Sequence, residues 1–213
     1  MTKKEKVKHL IAYFQENNPE AETELHYKTP YELIVAVILS AQCTDVRVNK
    51  ITPELLKIFP TINDLAKGTQ DEVFELIKSC SYPNNKASHL IGMSQMVVKE
   101  FGGHIPDNRD DLEKLPGVGR KTANVLLSVA FNKPAMAVDT HVFRVSARLG
   151  LSPEAKTPLE TEKTLVALFP EKLLPRAHHW LILHGRYVCN AKKPKCEICG
   201  IKKYCDYFLL VNH

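Results

Sequence analysis

The densest apolar run in the chain is Leu33-Ile-Val-Ala-Val-Ile-Leu39, seven residues without a polar position. Its β-branched residues favour a strand. A buried helix is expected instead. Thr29-Pro30-Tyr31-Glu32 directly upstream has the form of a capping box with proline at the first helical position, and no second strand-like run exists to pair with it. The same polar signature opens Thr69-Gln70-Asp71-Glu72 and Thr157-Pro158-Leu159-Glu160. In each, the threonine oxygen accepts an orphan backbone N–H while the glutamate reaches back. Asp107 or Asn108 starts a short helix ending near Leu115, and a helix starting near Asp139 is stopped by Gly150. A further helix runs from Lys121 to Phe131, with Val125, Leu126 and Val129 available for the core side. The chain reads as all-α with about ten short helices, without internal repeats or low-complexity linkers.

The chain has 213 residues, 44% hydrophobic and 25% charged, enough for one large domain or two small ones. Collagen-like and wholly disordered chains are excluded. Only nine glycines favour helices over a turn-rich β architecture. The N-terminus is charged (Lys3, Lys4, Glu5, Lys6, Lys8) and lacks the form of a secretory signal. The longest apolar run is far below the ~20 residues that span a bilayer. A soluble monomer without a membrane partner is expected, cytoplasmic and, in a bacterium, nucleoid-associated. Six cysteines in a reducing compartment do not suggest a disulfide framework.

Charge is unevenly spread. Six basic residues and one acidic residue lie between Arg186 and Cys205, which accounts for the whole net charge of +5. A second basic stretch, Gly117 to Arg148, holds Arg120, Lys121, Lys133, Arg144 and Arg148 against Asp139 alone. Two concentrated basic segments on a neutral body suggest an anionic partner.

Cys189, Cys196, Cys199 and Cys205 form a C-x6-C-x2-C-x5-C cluster. Four thiols this close suit a tetrahedral zinc site or an iron–sulfur cluster with one thiolate per iron. The lysines and prolines around them do not look like core. Cys43 and Cys80 are isolated in sequence and read as small buried apolar residues. In Leu115-Pro-Gly-Val-Gly-Arg-Lys-Thr122, Pro116 ends one helix, while Gly117 and Gly119 permit positive φ and close approach of another backbone. The helix that follows presents unsatisfied N–H groups, a good phosphate site. No Gly-Lys-Ser/Thr is present, so this is not a nucleotide P-loop. Lys121 stands in the first turn, where the positive end of the dipole disfavours a cation. It reads equally as a nucleophile or as a phosphate contact. The extended Asn132–Val138 connector is long enough to bring Asp139 back toward the start of that helix. There Asp139 both caps the next helix and offers a carboxylate for proton transfer. His178, His179 and His184 are expected to be structural and hydrogen-bonding groups.

These residues carry a resemblance. Leu115–Asn124, Ala137-Val-Asp-Thr-His-Val-Phe-Arg144, His178-His-Trp-Leu-Ile-Leu-His-Gly-Arg186 and the cysteine cluster together closely resemble the endonuclease III family of helix–hairpin–helix DNA glycosylases. The resemblance runs from Asn17 to Cys205. It implies an all-α, two-lobed fold: a six-helix lobe over 23–133, and a lobe of 1–22 with 134–213 carrying a [4Fe–4S] cluster on the four cysteines. It implies duplex DNA with damaged pyrimidines or abasic sites as partner, bound across a cleft with the damaged base flipped out. By the resemblance Lys121 is the nucleophile that attacks C1′ of an oxidised pyrimidine nucleotide. Asp139 is the carboxylate that assists base departure. The Schiff base then permits β-elimination, cutting the strand 3′ to the abasic site. Gly117, Val118 and Gly119 match the hairpin whose backbone holds phosphate, often with a monovalent cation, and Arg120 beside them is a DNA-binding residue. Gln42 and Asp45 lie in the matching run Leu39–Val46, with Gln42 entering the space left by the flipped nucleotide. Tyr82 stands at the wedge that enters the base stack, where this chain has Ser81-Tyr82-Pro83 in place of the family's usual Gly-Leu/Phe-Tyr. Lys192, Lys193 and Lys195 suit contacts to the DNA backbone. Adenine and mismatch glycosylases of the superfamily generally lack a lysine at the position of Lys121, and a non-catalytic DNA-binding module has no need of both Lys121 and Asp139.

Overall fold

The computed structural model describes residues Met1–Val211. The last two positions of the expected cluster lobe, 212 and 213, lie outside the described residues. Among the described residues the structure is helical and contains no strand. The chain divides into two compact units, Thr23–Phe131 and a unit formed by Met1–Glu22 with the chain from Asn132 onward.

The Thr23–Phe131 unit contains α2 (Pro30–Ser40), α3 (Asp45–Ile58), α4 (Ile62–Lys67), α5 (Gln70–Ile77), α6 (Pro83–Phe101), α7 (Arg109–Leu112) and α8 (Arg120–Val129). Its centre is α2. Every residue from Leu33 to Leu39 is buried, and Leu33, Ile34, Val35, Ala36 and Leu39 completely so. Burial on all sides, against α3, α6 and α8, overrides the strand propensity of the run. Each fully buried Leu or Ile contributes roughly 1.5–3 kcal/mol of transfer free energy, far more than the propensity difference. Thr29 caps α2 by accepting the Glu32 N–H at 3.2 Å. Glu32 departs from the expected box: it accepts the Lys28 N–H at 2.7 Å, one residue before the cap. Thr69 and Glu72 form the reciprocal box in full. On α8 the core face is Ala123, Leu126 and Leu127, whereas Val125 and Val129 are only half-buried. Buried Asn124 accepts from Arg109, which ties α7 to α8.

The second unit holds α1 (Lys3–Asn17), α9 (Thr140–Arg148), α10 (Pro158–Leu168), α11 (Leu174–Tyr187) and α12 (Asp206–Val211). Its core includes Leu10, Phe14, Val142, Val145 and Trp180. The rings of Phe14 and Trp180 stack at 5.6 Å, and Trp180 Nε1 donates to the Asn18 carbonyl at the end of α1. The helix from Thr140 ends at Gly150 as expected, with Gly150 at φ +74°. Its left-handed backbone favours glycine, and a Cβ there would fall 1.6 Å from Asp206 Oδ2 and displace that carboxylate from Lys6. Buried Lys6 explains the crowding. Its ammonium donates to the Leu149 carbonyl and to Asp206, joining α1, the end of α9 and the start of α12. The α10 start repeats the α2 variation, with Glu160 accepting the Lys156 N–H. No helix among the described residues is long and apolar enough to cross a membrane.

Candidate functional site

In the Thr23–Phe131 unit the glycine hairpin is a tight turn closed by the Val118 N–H on the Leu115 carbonyl, 3.0 Å. Gly117 sits at φ +78°, and a Cβ on it would meet His89 Cβ at 2.9 Å. Both the backbone and the space therefore require glycine. The Val118 side chain is buried and its amide is committed to the turn, so its carbonyl is what it can offer a ligand. Gly119 is the N-cap of α8 and supplies no side-chain cap. The first-turn N–H groups thus have no intrahelical acceptor, and Arg120 and exposed Lys121 stand among them. Such a terminus attracts an anion.

Two further turns of this unit lie together. Gln42, after α2, and Tyr82, before α6, are both exposed and both left-handed at φ +53°. Non-glycine residues in that region cost about 1–2 kcal/mol each, a strain that clusters at binding sites. Ser81 Oγ donates to the Gln42 carbonyl at 2.7 Å and links the two turns. Lys86 supports them from within. Its buried ammonium donates to the Leu39 and Ala41 carbonyls at 2.8 Å each. Burial lowers the Lys86 pKa from the ordinary lysine value. Asp45 stands in the first turn of α3, after the Thr44 cap, where a carboxylate also complements the helix dipole.

In the second unit Asp139 is the N-cap of α9. Its Oδ1 accepts the His141 and Val142 N–H groups at 2.8 Å each, leaving Oδ2 outside the cap. The segment before it, Ala135–Val138, is buried, and fully buried His178 places its Nδ1 2.9 Å from the Ala137 carbonyl. Burial, with His178 and Arg176 adding to it, drives the His179 pKa down to about 3. This histidine is neutral.

Cys189, Cys196, Cys199 and Cys205 line a single cavity with His184, Leu149 and Tyr207. Among the described residues no three His, Cys, Asp or Glu side chains converge on a single-ion position. The Cys199 thiol is pushed up to about 11, first by burial and then by the neighbouring Cys205, Cys189 and Cys196. Four thiolates in such a cavity need a multivalent cationic core to neutralise them, so the donor set fits a metal–sulfur group. His184 Nε2 lies 3.7 Å from Cys199 Sγ, in keeping with a hydrogen-bonding role.

The structure corrects one reading of the charge pattern. Arg144 and Arg148 are absorbed within the fold. Arg144 donates to the Cys189 and Gly185 carbonyls. Arg148 donates to Cys189 Sγ at 3.3 Å and to the Asn190 and Ala191 carbonyls. Both arginines organise the cysteine loop, which the sequence pattern did not reveal because the partners lie about forty residues away. Lys192, Lys193 and Lys195 are all exposed on that loop.

The family model described as "HhH-GPD superfamily base excision DNA repair protein" matches residues 35–171. Endonuclease III of Rickettsia prowazekii is 49% identical over 200 residues, covering 94% of each chain. Endonuclease III of Escherichia coli K12 is 43% identical over 198 residues, covering 93% of each. The structure of a trapped endonuclease III–DNA covalent intermediate, an estranged-adenine complex, superposes with a TM-score of 0.93 at 40% identity and covers 100% of both chains. The chain belongs to the endonuclease III family within the HhH-GPD superfamily of base excision DNA repair proteins.

Proposed function

We infer that the protein is a DNA glycosylase and abasic-site lyase of base excision repair, which removes oxidised pyrimidines from duplex DNA and cuts 3′ to the abasic site. The observation that carries this reading is Lys121, exposed in the first turn of an uncapped helix directly after the glycine turn. There the helix terminus binds a backbone phosphate and presents the amine to the adjoining sugar. The Lys121 amine attacks C1′ and the damaged base leaves with the glycosidic electrons. The sugar ring opens to a Schiff base. Loss of a C2′ proton then expels the 3′ phosphate, and water releases the enzyme. Asp139 assists base departure and proton transfer through Oδ2, the oxygen that its cap leaves over.

Gln42 and Tyr82 are the residues that enter the duplex, one filling the vacated space and the other wedging the stack. Their shared left-handed strain and the Ser81 link support that role. Gly117, Val118, Gly119 and Arg120 form the phosphate-binding hairpin, Asp45 flanks the Gln42 turn, and Lys192 and Lys193 contact the DNA backbone. Cys189, Cys196, Cys199 and Cys205 each give one thiolate to a [4Fe–4S] cluster, which shapes the basic loop. The test is strand cutting of a duplex with one thymine glycol. Wild type cuts it and Lys121→Ala does not; equal cutting by both proteins would overturn the assignment.

A further inference from the structure

Cys43 and Cys80 are 37 positions apart in sequence, yet their sulfurs lie 3.8 Å apart. Cys80 is the small buried residue that the sequence suggested, whereas Cys43 is only half-buried. Each adjoins one of the two strained turns: Cys43 follows Gln42, and Cys80 precedes Ser81 and Tyr82. The pairing of sulfurs runs beside the Ser81–Gln42 hydrogen bond, so the two turns face each other at successive positions. The two thiols differ. Cys80 is 5% exposed, and burial, with Cys43 adding to it, pushes its thiol up to about 11. Cys43 is the more accessible residue of the two. Lys86 and Arg47 oppose that rise at Cys80 electrostatically without reversing it, so Cys80 is the poorer nucleophile of the two sulfurs.

We propose that Cys43 and Cys80 form a reversible disulfide on oxidation by a peroxide, and that this bond switches off the two turns that carry Gln42 and Tyr82. The Cys43 sulfur attacks one peroxide oxygen as a thiolate. The O–O bond breaks, leaving a sulfenic acid and a hydroxide, which takes up the proton lost by the Cys43 thiol and becomes one water. The Cys80 sulfur then attacks the sulfenic sulfur, the S–O bond breaks, and the departing hydroxide takes the Cys80 proton as a second water. Two thiols lose two electrons and hydrogen peroxide is reduced to two waters. Exchange with a small thiol reverses the bond. Closure takes the sulfurs from 3.8 Å to about 2.05 Å. The bond then ties together two turns that both hold strained left-handed residues. Intracellular disulfides of this kind are transient and regulatory.

The switch, though not the disulfide, rests on the functional reading above. The test uses the cluster-loaded protein with limiting hydrogen peroxide, visible absorbance being followed so that only protein with an intact cluster is scored. Free thiols are alkylated and peptides mapped by mass spectrometry. A Cys43–Cys80 linked peptide is expected, lighter by two hydrogens, lost after treatment with a thiol reductant, and absent from Cys43→Ser and Cys80→Ala. Loss of the contacts that Gln42 and Tyr82 make with the duplex is expected to weaken binding to a thymine-glycol duplex roughly tenfold after oxidation, about 1.4 kcal/mol. Reduction restores it, and Cys43→Ser binds equally well with and without peroxide. Peroxide treatment that leaves both thiols free to alkylate, or links either to another cysteine, overturns the modification site. A mapped disulfide with unchanged binding overturns the switch. Failure of the functional reading looks different: the reduced protein shows no preference for the lesion duplex, while the peptide map is unaffected.

Discussion

Replacing Asp139 by asparagine and by alanine separates the two roles assigned to it. Alanine removes the acceptor of both the His141 and Val142 N–H groups, each held at 2.8 Å by Oδ1. Loss of an N-cap of this type costs about 1–2 kcal/mol. Asparagine ranks with aspartate as an N-cap and retains Oδ1, so only the attraction of its charge to the helix dipole is lost, about 0.3–1 kcal/mol. For a chain of this size 1 kcal/mol moves the melting temperature by about 2–4 °C. Asp139→Ala should therefore melt about 4 °C below wild type and Asp139→Asn only about 1–2 °C below it. Catalysis should fall in both, because neither side chain carries a carboxylate. General acid–base assistance is worth roughly 10²–10⁴-fold. The assays are thermal melting followed by circular dichroism and single-turnover base release from a thymine-glycol duplex. The reasoning fails if Asp139→Asn retains the wild-type rate, which would leave the cap as the residue's whole function. It also fails if asparagine destabilises as much as alanine.

Gly117→Ala places a methyl group 2.9 Å from His89 Cβ at φ +78°. It should weaken lesion-duplex binding and cost about 1–2 kcal/mol from the left-handed backbone alone; unchanged denaturant unfolding and binding would refute the hairpin geometry. His179 is held neutral by burial, with a pKa near 3 in the folded chain. The unfolded chain binds its proton more strongly, so this contribution is fully present above about pH 6.5 and is lost as pH falls toward 3, by up to about 1.4 kcal/mol per pH unit. Urea titrations across that range should show a flatter acid limb for His179→Gln, and an unaltered limb would contradict the burial argument. Replacing Lys192 and Lys193 together by alanine should weaken all duplexes alike and reduce the slope of log affinity against log salt by about 0.9 for each phosphate no longer neutralised. An unchanged slope would remove that loop from the interface.

Helix starts were the most legible part of the chain, because a threonine cap is a local signal. Asn108 and Asp139 cap as their types suggest. Thr2 with Glu5 and Thr61 with Asp64 form the same reciprocal box at the same three-residue spacing, although neither was among the starts that the pattern singled out. The Gly117 and Gly150 turns were legible because glycine marks positive φ. Long-range polar pairings were not. The capture of Arg144 and Arg148 by the cysteine loop, Lys86 under the Gln42 turn, and the Cys43–Cys80 contact all join segments that share no local pattern. A basic residue in the sequence is a charge without a destination, and only packing decides whether it faces a partner or a carbonyl. The strand-like residues of α2 had the same ambiguity, which the cap and complete burial resolved in favour of a helix.

The central claim is that the Lys121 amine becomes covalently joined to the sugar of a damaged nucleotide. Incubating the protein with a thymine-glycol duplex in the presence of borohydride reduces any Schiff base to a stable bond. The account predicts a trapped protein–DNA adduct whose attachment maps to Lys121 by mass spectrometry, absent from Lys121→Ala and retained in Lys192→Ala. No adduct with that duplex or with one carrying an abasic site, or an adduct mapping to another lysine, would contradict it.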